Sequence, residues 1–201
     1  MIYNHVVIGA GASGLMFGAI SQNPILILEK NSKPGNKLRV SWWGRCNLTN
    51  MQITAQDYTG LGQRALPSLY HKFNNQDMIE YLNSHWIDTK IEENGKVFLK
   101  SGSSQELIDF LIDQNDWQII TDCEVTSVSR EDEIFVIKTN KWKRKTHKLI
   151  VATWWRSYNN LWTSEIWYQI AKQLGMQVTP LARGLVSVSY THLTLPTNRE
   201  V

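Results

Sequence analysis

The chain is poor in cysteine and lacks long apolar runs. Its two cysteines, Cys46 and Cys123, lie too far apart for C-x-x-C chemistry, and its five histidines show no spacing typical of metal ligands. No run approaches the roughly eighteen apolar residues of a membrane helix, and the N-terminus enters a β-rich run without a signal-peptide pattern. We therefore expect a cytoplasmic protein with reduced thiols, no metal site and no membrane partner.

Composition is that of a globular protein. The 201 residues are 42% hydrophobic and 19% charged, which permits one large or two small domains. The net charge of +3 is too small to predict a nucleic-acid partner. The basic run Lys141–Lys148 mixes cations with Trp142, as nucleic-acid readers do. It also lies between two strand-like runs, so we interpret it as a solvated hairpin turn and expect no nucleic-acid partner.

A glycine-rich turn follows the first β-rich run, Tyr3–Ile8, and opens an apolar helical stretch. It fits the pattern G-x-G-x-x-G, in which the first glycine permits the turn and the second lets backbone approach a pyrophosphate. The third glycine allows close contact between helix and strand, and the helix N-terminus supplies N–H groups and positive dipole. The six residues are Gly9, Ala10, Gly11, Ala12, Ser13 and Gly14.

A second β-rich run, Ile25–Leu28, ends in an acid, Glu29. The acid lies about twenty residues beyond the first glycine, where a carboxylate accepts hydrogen bonds from a ribose. Strand, glycine turn, helix, strand and acid in this order predict a Rossmann-like dinucleotide-binding fold. The alternative is a purely structural turn with a solvated acid at a strand end.

Three segments carry a family resemblance: residues 7–16, Leu28-Glu29-Lys30, and the run Gly44 to Asn50, which reads Gly-Arg-Cys-Asn-Leu-Thr-Asn. With them, nearly the whole chain resembles the bacterial NAD(P)/FAD-dependent oxidoreductases of the aminoacetone-oxidase-like type. The resemblance implies a doubly wound α/β FAD-binding domain. A small antiparallel β excursion interrupts it.

The resemblance also implies a set of cofactor contacts. The pyrophosphate of FAD would lie at Gly9–Gly14 and its adenosine ribose on Glu29, with Lys30 in the same motif, while the backbone of Val125 would meet the adenine. The flavin side would be lined by Arg45, Cys46, Asn47, Ala152 and Thr153. For Cys46, the residue itself favours a small packed thiol over a redox or flavin-contacting role. Because the flavin carries the redox chemistry, no catalytic acid or base is singled out.

The function implied by the resemblance is an FAD-dependent oxidoreductase that takes electrons from NAD(P)H and acts on a small organic substrate. Two alternatives belong to other classes: a nucleotide-binding module with a structural flavin, and a flavin-dependent RNA-modifying protein. Fold alone does not separate them.

Nine tryptophans exceed ordinary usage several-fold. The family has glycine at two tryptophan pairs and at three single positions, while two further tryptophans occupy turn-like contexts. The triplet TGA differs from the glycine codon GGA by one base and is read as glycine in some bacteria, so we interpret these tryptophans as glycine positions encoded by TGA. The alternative is a genuine aromatic surface. The positions are Trp42, Trp43, Trp154, Trp155, Trp86, Trp162, Trp167, Trp117 and Trp142.

The chain divides into an expected FAD-binding domain, residues 1–187, and a tail, residues 188–201. The tail resembles the translation of a sequencing adapter, although its alternation would also suit a natural strand. The resemblance implies that a substrate domain and the rest of the FAD domain follow in the natural protein. We expect helices at Gln76–Ser84, Ser104–Gln114 and Ser164–Leu174, a strand at Lys96–Leu99, and an antiparallel meander from Ile119 to Ala152.

Overall fold

The computed structural model describes residues 2–57, 66–114, 118–153 and 166–178. Its helices are α1 (Ala12–Ile20), α2 (Asn36–Val40), α3 (Leu66–Lys72), α4 (Asn75–Ser84), α5 (Ser104–Asp113) and α6 (Ile166–Gln173). Its strands are β1 (Ile2–Ile8), β2 (Ile25–Leu28), β3 (Thr49–Asn50), β4 (Thr89–Ile91), β5 (Lys96–Leu99), β6 (Gln118–Ile120), β7 (Val125–Glu131), β8 (Ile134–Thr139) and β9 (Lys143–Val151). Among these residues every helix is too short or too polar to span a bilayer.

A six-stranded sheet forms the centre of the domain, in the order β6-β2-β1-β9-β8-β7. Strands β6, β2, β1 and β9 run parallel, whereas β8 and β7 pair antiparallel at one end. All four residues of β2 are buried, as are the last three of β1. Such continuous apolar runs are typical of parallel strands that are covered on both faces.

Two apolar clusters cover the two faces of this sheet. Val7 and Ile27 belong to the first cluster, which includes residues of α1 and α5. Val6 and Leu26 belong to the second, which includes residues of β7, β8 and α6. Because successive side chains of a strand point to opposite faces, neighbouring residues of β1 and β2 alternate between the clusters. The doubly wound α/β prediction is therefore confirmed.

A smaller antiparallel sheet, β3-β5-β4, lies outside the central one. The sequence predicted its central strand, β5, but not its two partners, which are only two and three residues long. Helix α4 lies between β3 and β4 in the chain, and its N-terminus is fixed by a capping box between Asn74 and Asp77. Helix α5 buries Leu107 and Leu111, the stripe expected from its apolar spacing.

One part of the predicted meander is wrong. Residues Ile119 and Ile120 belong to β6, which pairs parallel to β2 and extends the Rossmann sheet. A short apolar run does not specify its partner strand, which explains the error. Strands β7, β8 and β9 do pair antiparallel. The predicted start of the last helix, Ser164, lies outside the described residues, and the described part of that helix is α6.

Candidate dinucleotide site

Three predicted segments meet at the carboxyl edge of the parallel strands. Gly9 follows β1, Glu29 follows β2, and Ala152 follows β9. The N–H of Gly9 donates to the carbonyl of Leu28 at 2.8 Å, and the N–H of Ala152 donates to the carbonyl of Ile8 at 2.9 Å. The crevice outside the carboxyl ends of such strands is where open α/β sheets bind ligands.

Packing explains two of the three fingerprint glycines. Gly9 has a φ of +101°, and a Cβ there would lie 2.9 Å from the carbonyl oxygen of Ala152. A Cβ on Gly14 would overlap the carbonyl oxygen of Gly9. Since neither position tolerates a side chain, the turn and the first helix are held tightly against the sheet.

The middle glycine has a different surrounding. A Cβ on Gly11 would meet no atom within 4 Å. Gly11 is the N-cap of α1, and within the described part of the chain this helix end has no side-chain capping bond. The first N–H groups of a helix have no partner within it, and they lie at the positive end of its dipole. This open helix end, with Ala12, Ser13 and Gly14 in its first turn, fits a pyrophosphate.

Glu29 links the turn to the second strand. Its side chain is buried, with 7% exposure. Oε2 accepts a bond from the N–H of Ala10 at 2.7 Å, while Oε1 accepts from the backbone N–H and side-chain amide of Asn31 at 2.8 and 2.6 Å. A carboxylate offers about four acceptor positions, so about one remains for a ribose hydroxyl.

Two residues at this edge were not predicted from sequence. Asn31 bonds Glu29 through both its backbone and its side chain, and its carbonyl accepts from the N–H of Asp122 at 3.1 Å. The N–H of Gly35 donates to the carbonyl of Ala10 at 2.8 Å. Neither residue belongs to the glycine fingerprint, so no spacing signal identifies them.

The expected adenine side is built by the loop 121–124. The N–H of Cys123 donates to the carbonyl of Glu29 at 2.9 Å, and Lys30 pairs with Glu124 at 2.9 Å on the surface. Val125 follows this loop as the first residue of β7, the last strand of the sheet, and its side chain is buried in the second cluster. The structure thus brings Lys30 and Val125 to the same loop.

On the expected flavin side, Arg45 is held by protein groups. It forms an ion pair with Glu92, and its guanidinium lies 4.2 Å from the centre of the Phe98 ring. Cys46 packs in the first cluster with Ala10, and burial raises the pKa of its thiol. A neutral, buried thiol agrees with the packed-thiol interpretation.

Several buried polar atoms lack a hydrogen-bond partner among the described residues, including Nδ1 of His5 in β1, and two of them lie at the expected cofactor site. They are Oδ1 of Asn47 and Oγ1 of Thr153, both on the expected flavin side. Most buried polar atoms in proteins are bonded, so an unbonded pair calls for an explanation. A bound group with hydrogen-bonding atoms would supply it. The residues present therefore fit a dinucleotide at both ends of the site.

Two tryptophans adopt backbone conformations that favour glycine. Trp43 has a φ of +53° and Trp86 a φ of +66°, and their side chains are 94% and 91% exposed. Trp86 follows the C-cap of α4, where its N–H and that of Ile87 bond back to Asn83 and Leu82 in a Schellman motif. Glycine is the usual residue at this place, which supports the glycine interpretation at both positions.

The remaining tryptophans give the glycine interpretation less support or none. Trp142 lacks a positive φ, is half-buried and lies under the guanidinium of Arg144 at 3.8 Å. Trp167 is helical, and the backbone of Trp42 forms a 3-10 turn. The others lie outside the described residues: Trp117, Trp154, Trp155 and Trp162. That all nine are glycine positions stays a prediction.

These features define the class of the protein. A doubly wound sheet with a glycine turn at its carboxyl edge and a buried acid after the second strand is a Rossmann domain of the type found in FAD-binding oxidoreductases. The chain belongs to the family described as HI0933-like protein Rossmann domain, whose profile matches residues 3–195. The match reaches into residues 188–201, whose assignment to a non-native tail stays a prediction.

Two curated relatives share this domain. The chain is 30% identical over 190 residues to the ribosomal RNA dihydrouridine synthase of Escherichia coli, which covers 92% of this chain and 47% of the relative. It is 24% identical to the 3-dehydro-bile acid delta(4,6)-reductase of Clostridium scindens, covering 90% of this chain and 46% of the relative. The chain thus spans about half the length of these relatives.

A solved structure supports the fold. THI4 of Thermovibrio ammonificans superposes with a TM-score of 0.54 at 9% identity, over 87% of this chain and 64% of that one. At this identity the likeness concerns the fold alone.

Proposed function

We propose that this chain is the cofactor-binding part of an FAD-dependent oxidoreductase. The observation that carries the proposal is the buried bond from Ala10 to Glu29, which fixes the open glycine turn at the carboxyl edge of the sheet. Family membership supports FAD as the dinucleotide. A cytoplasmic location, expected from the sequence, stays a prediction.

Each part of the site has a distinct task in this proposal. The N-terminus of α1 holds the pyrophosphate, and the remaining acceptor position of Glu29 binds a ribose hydroxyl. Asn47 and Thr153 offer their unbonded buried atoms to the flavin end. A bound flavin supplies the redox chemistry, so the protein positions it and excludes water.

Cofactor binding is tested with purified full-length protein in which the tryptophans interpreted as glycine positions are restored to glycine. We expect it to be yellow and to release FAD on denaturation. NADH or NADPH, the expected reductants, should bleach the flavin absorbance without oxygen. Protein that stays colourless after incubation with FAD would contradict the proposal. Bound flavin that neither nicotinamide reduces would contradict the reductant and favour a structural flavin.

A second candidate function is reduction of uridine in ribosomal RNA. It is favoured by the names of two relatives that are each 30% identical to this chain, from Escherichia coli and Haemophilus influenzae. The names of these relatives favour an RNA substrate, whereas the sequence predicted a small-molecule substrate and no nucleic-acid partner. Both of these expectations stay predictions.

The names of the relatives have a chemistry in common. Dihydrouridine is uridine with two hydrogens added across the ring double bond, which is conjugated to a carbonyl. A delta(4,6)-reductase of a 3-dehydro steroid also reduces double bonds conjugated to a carbonyl. We therefore infer that the substrate class is a carbon–carbon double bond conjugated to a carbonyl, carried either by RNA or by a small molecule.

A genetic experiment separates the two substrates. Dihydrouridine in ribosomal RNA is measured by mass spectrometry in the native host, with and without the gene. Loss of a dihydrouridine, restored by complementation, would support the RNA substrate. Unchanged dihydrouridine, together with NAD(P)H-dependent reduction of a cyclic enone, would support the small-molecule alternative.

A further inference from the structure

The β8–β9 hairpin tip, residues 138–145, concentrates positive charge. Its sequence, Lys-Thr-Asn-Lys-Trp-Lys-Arg-Lys, carries five cations and no acid. All four of its lysines are exposed. Among the described residues, only Lys145 forms an ion pair, with Glu131 at 3.1 Å. The chain as a whole has a net charge of only +3, so this charge is local.

Two of these lysines lie directly opposite each other. Lys138 pairs with Lys143 in the antiparallel register, and both side chains are exposed. Among the described residues no carboxylate lies within ion-pair distance of either one. Directly opposed side chains on a ladder have Cβ atoms about 5 Å apart, and like charges there repel. An anion bound between them would remove this repulsion.

The hairpin tip is fastened to the adenosine end of the candidate site. The N–H of Asn140 donates to the carbonyl of Glu124 at 2.9 Å, and Oδ1 of Asn140 accepts from the N–H of Glu124 at 3.0 Å. The ammonium of Lys141 donates to the carbonyl of Thr121 at 3.1 Å. The loop 121–124 in turn bonds Glu29 through the N–H of Cys123. These hydrogen bonds fix the position of the hairpin tip and its cations beside the candidate site.

We propose that the hairpin tip binds the phosphate backbone of an RNA substrate, an inference that rests on the RNA candidate under Proposed function. Phosphate contacts need cations in a fixed arrangement and carry no base specificity. The tip has no exposed large hydrophobic side chain, since Trp142 is half-buried beneath Arg144. Insertion into a membrane or a protein hot spot depends on such side chains, so the observations favour RNA.

The experiment measures binding of purified bacterial ribosomal RNA to the FAD-loaded protein over a range of salt concentrations. The test variant is Lys138→Gln/Lys143→Gln. The matched control is Lys72→Gln/Lys90→Gln, which removes the same charge from exposed residues of α3 and β4. We expect the test variant to lower affinity at least about tenfold and to reduce the salt slope by about 1 to 2. The control should change neither quantity as much.

Several outcomes would overturn the proposal: unchanged RNA affinity in the test variant, equal losses in both variants, or a loss of binding to anionic vesicles but not to RNA. FAD content and NAD(P)H oxidation serve as fold controls and should be unchanged in all variants. Wild-type protein that reduces its flavin but does not bind RNA would refute this inference and leave the oxidoreductase intact. RNA binding by protein without reducible flavin would refute the oxidoreductase instead.

Discussion

The turn after β1 and the segment after α2 both contain backbone positions that favour glycine, but different residues occupy these positions. In the turn, Gly9 has a positive φ and Gly14 has no room for a Cβ. In the segment 41–47, Trp43, Gly44 and Cys46 have φ values of +53°, +85° and +56°. A left-handed conformation costs a residue with a Cβ about 1 to 2 kcal/mol, whereas glycine adopts it freely.

The difference lies in what surrounds each position. At Gly14 a side chain would collide with backbone, so only glycine is compatible with the fold. At Trp43 the indole extends into solvent, so the chain accommodates it at a cost in backbone strain. Packing therefore excludes a side chain at Gly14, whereas at Trp43 conformational preference alone disfavours one.

The largest expected effect is on the packed glycine. Gly14→Ala should lower the free energy of unfolding by about 3 kcal/mol or more, because the new methyl overlaps the carbonyl of Gly9. Gly11→Ala is the matched control, since its methyl meets no atom. The control should fold normally yet bind FAD more weakly if backbone approaches the pyrophosphate there. Urea denaturation and FAD titration measure both, and equal stability of the two variants would contradict the packing argument.

Glu29→Ala should weaken FAD binding at least about tenfold, equivalent to 1.4 kcal/mol. It should also lower stability by about 1 to 3 kcal/mol, because Ala10 and Asn31 lose their acceptor. Competition by ADP and by 2′-deoxy-ADP separates these roles. If Glu29 binds the ribose, wild-type protein prefers ADP and the variant does not. An undiminished preference in the variant would assign Glu29 to structure alone.

A smaller change of opposite sign is expected at Trp86. Trp86→Gly should raise stability by about 1 kcal/mol, because glycine relieves the left-handed strain at the end of α4. Trp142→Gly, at a half-buried position without positive φ, should instead destabilise the protein. Thermal or urea unfolding gives both signs. A destabilised Trp86→Gly would count against the glycine interpretation, as would TGG at most of the tryptophan codons.

The smallest expected effect concerns pH. Burial raises the pKa of Cys46 above its ordinary value of 9.0, and that of Cys123 likewise. The unfolded chain then loses these protons at lower pH than the folded one, so stability should hold below pH 9.0 and fall above it. Denaturation of Cys46→Ala between pH 7 and 10 should show a shallower decline than wild type. An identical decline in the variant and the wild type would show that a group other than Cys46 causes the loss of stability.

The order of elements was readable from the sequence because each signal is local. Glycine spacing, the run Ile25–Leu28 and the acid after it predicted the Rossmann half of the domain and the place of Glu29. The apolar stripe of Ser104–Gln114 predicted helix α5 to within one residue of its end. These signals depend on apolar periodicity and on turn-forming residues, and both are visible within a short stretch of sequence.

Other features depended on contacts between segments far apart in sequence. The sequence around Ile119 and Ile120 does not indicate that they pair parallel to β2. The sequence around Asn31 likewise does not predict its hydrogen bonds to Glu29. The basic run Lys141–Lys148 was interpreted as a hairpin turn, but only residues 140–142 form the turn and residues 143–148 belong to β9. The attachment of the turn to the loop 121–124 follows from pairing across sixteen or more residues. The sequence alone therefore determined which nucleotide-binding elements are present, because their geometry is local. Only the tertiary structure decided which side chains brace them, because bonds between distant segments form once the sheet has assembled.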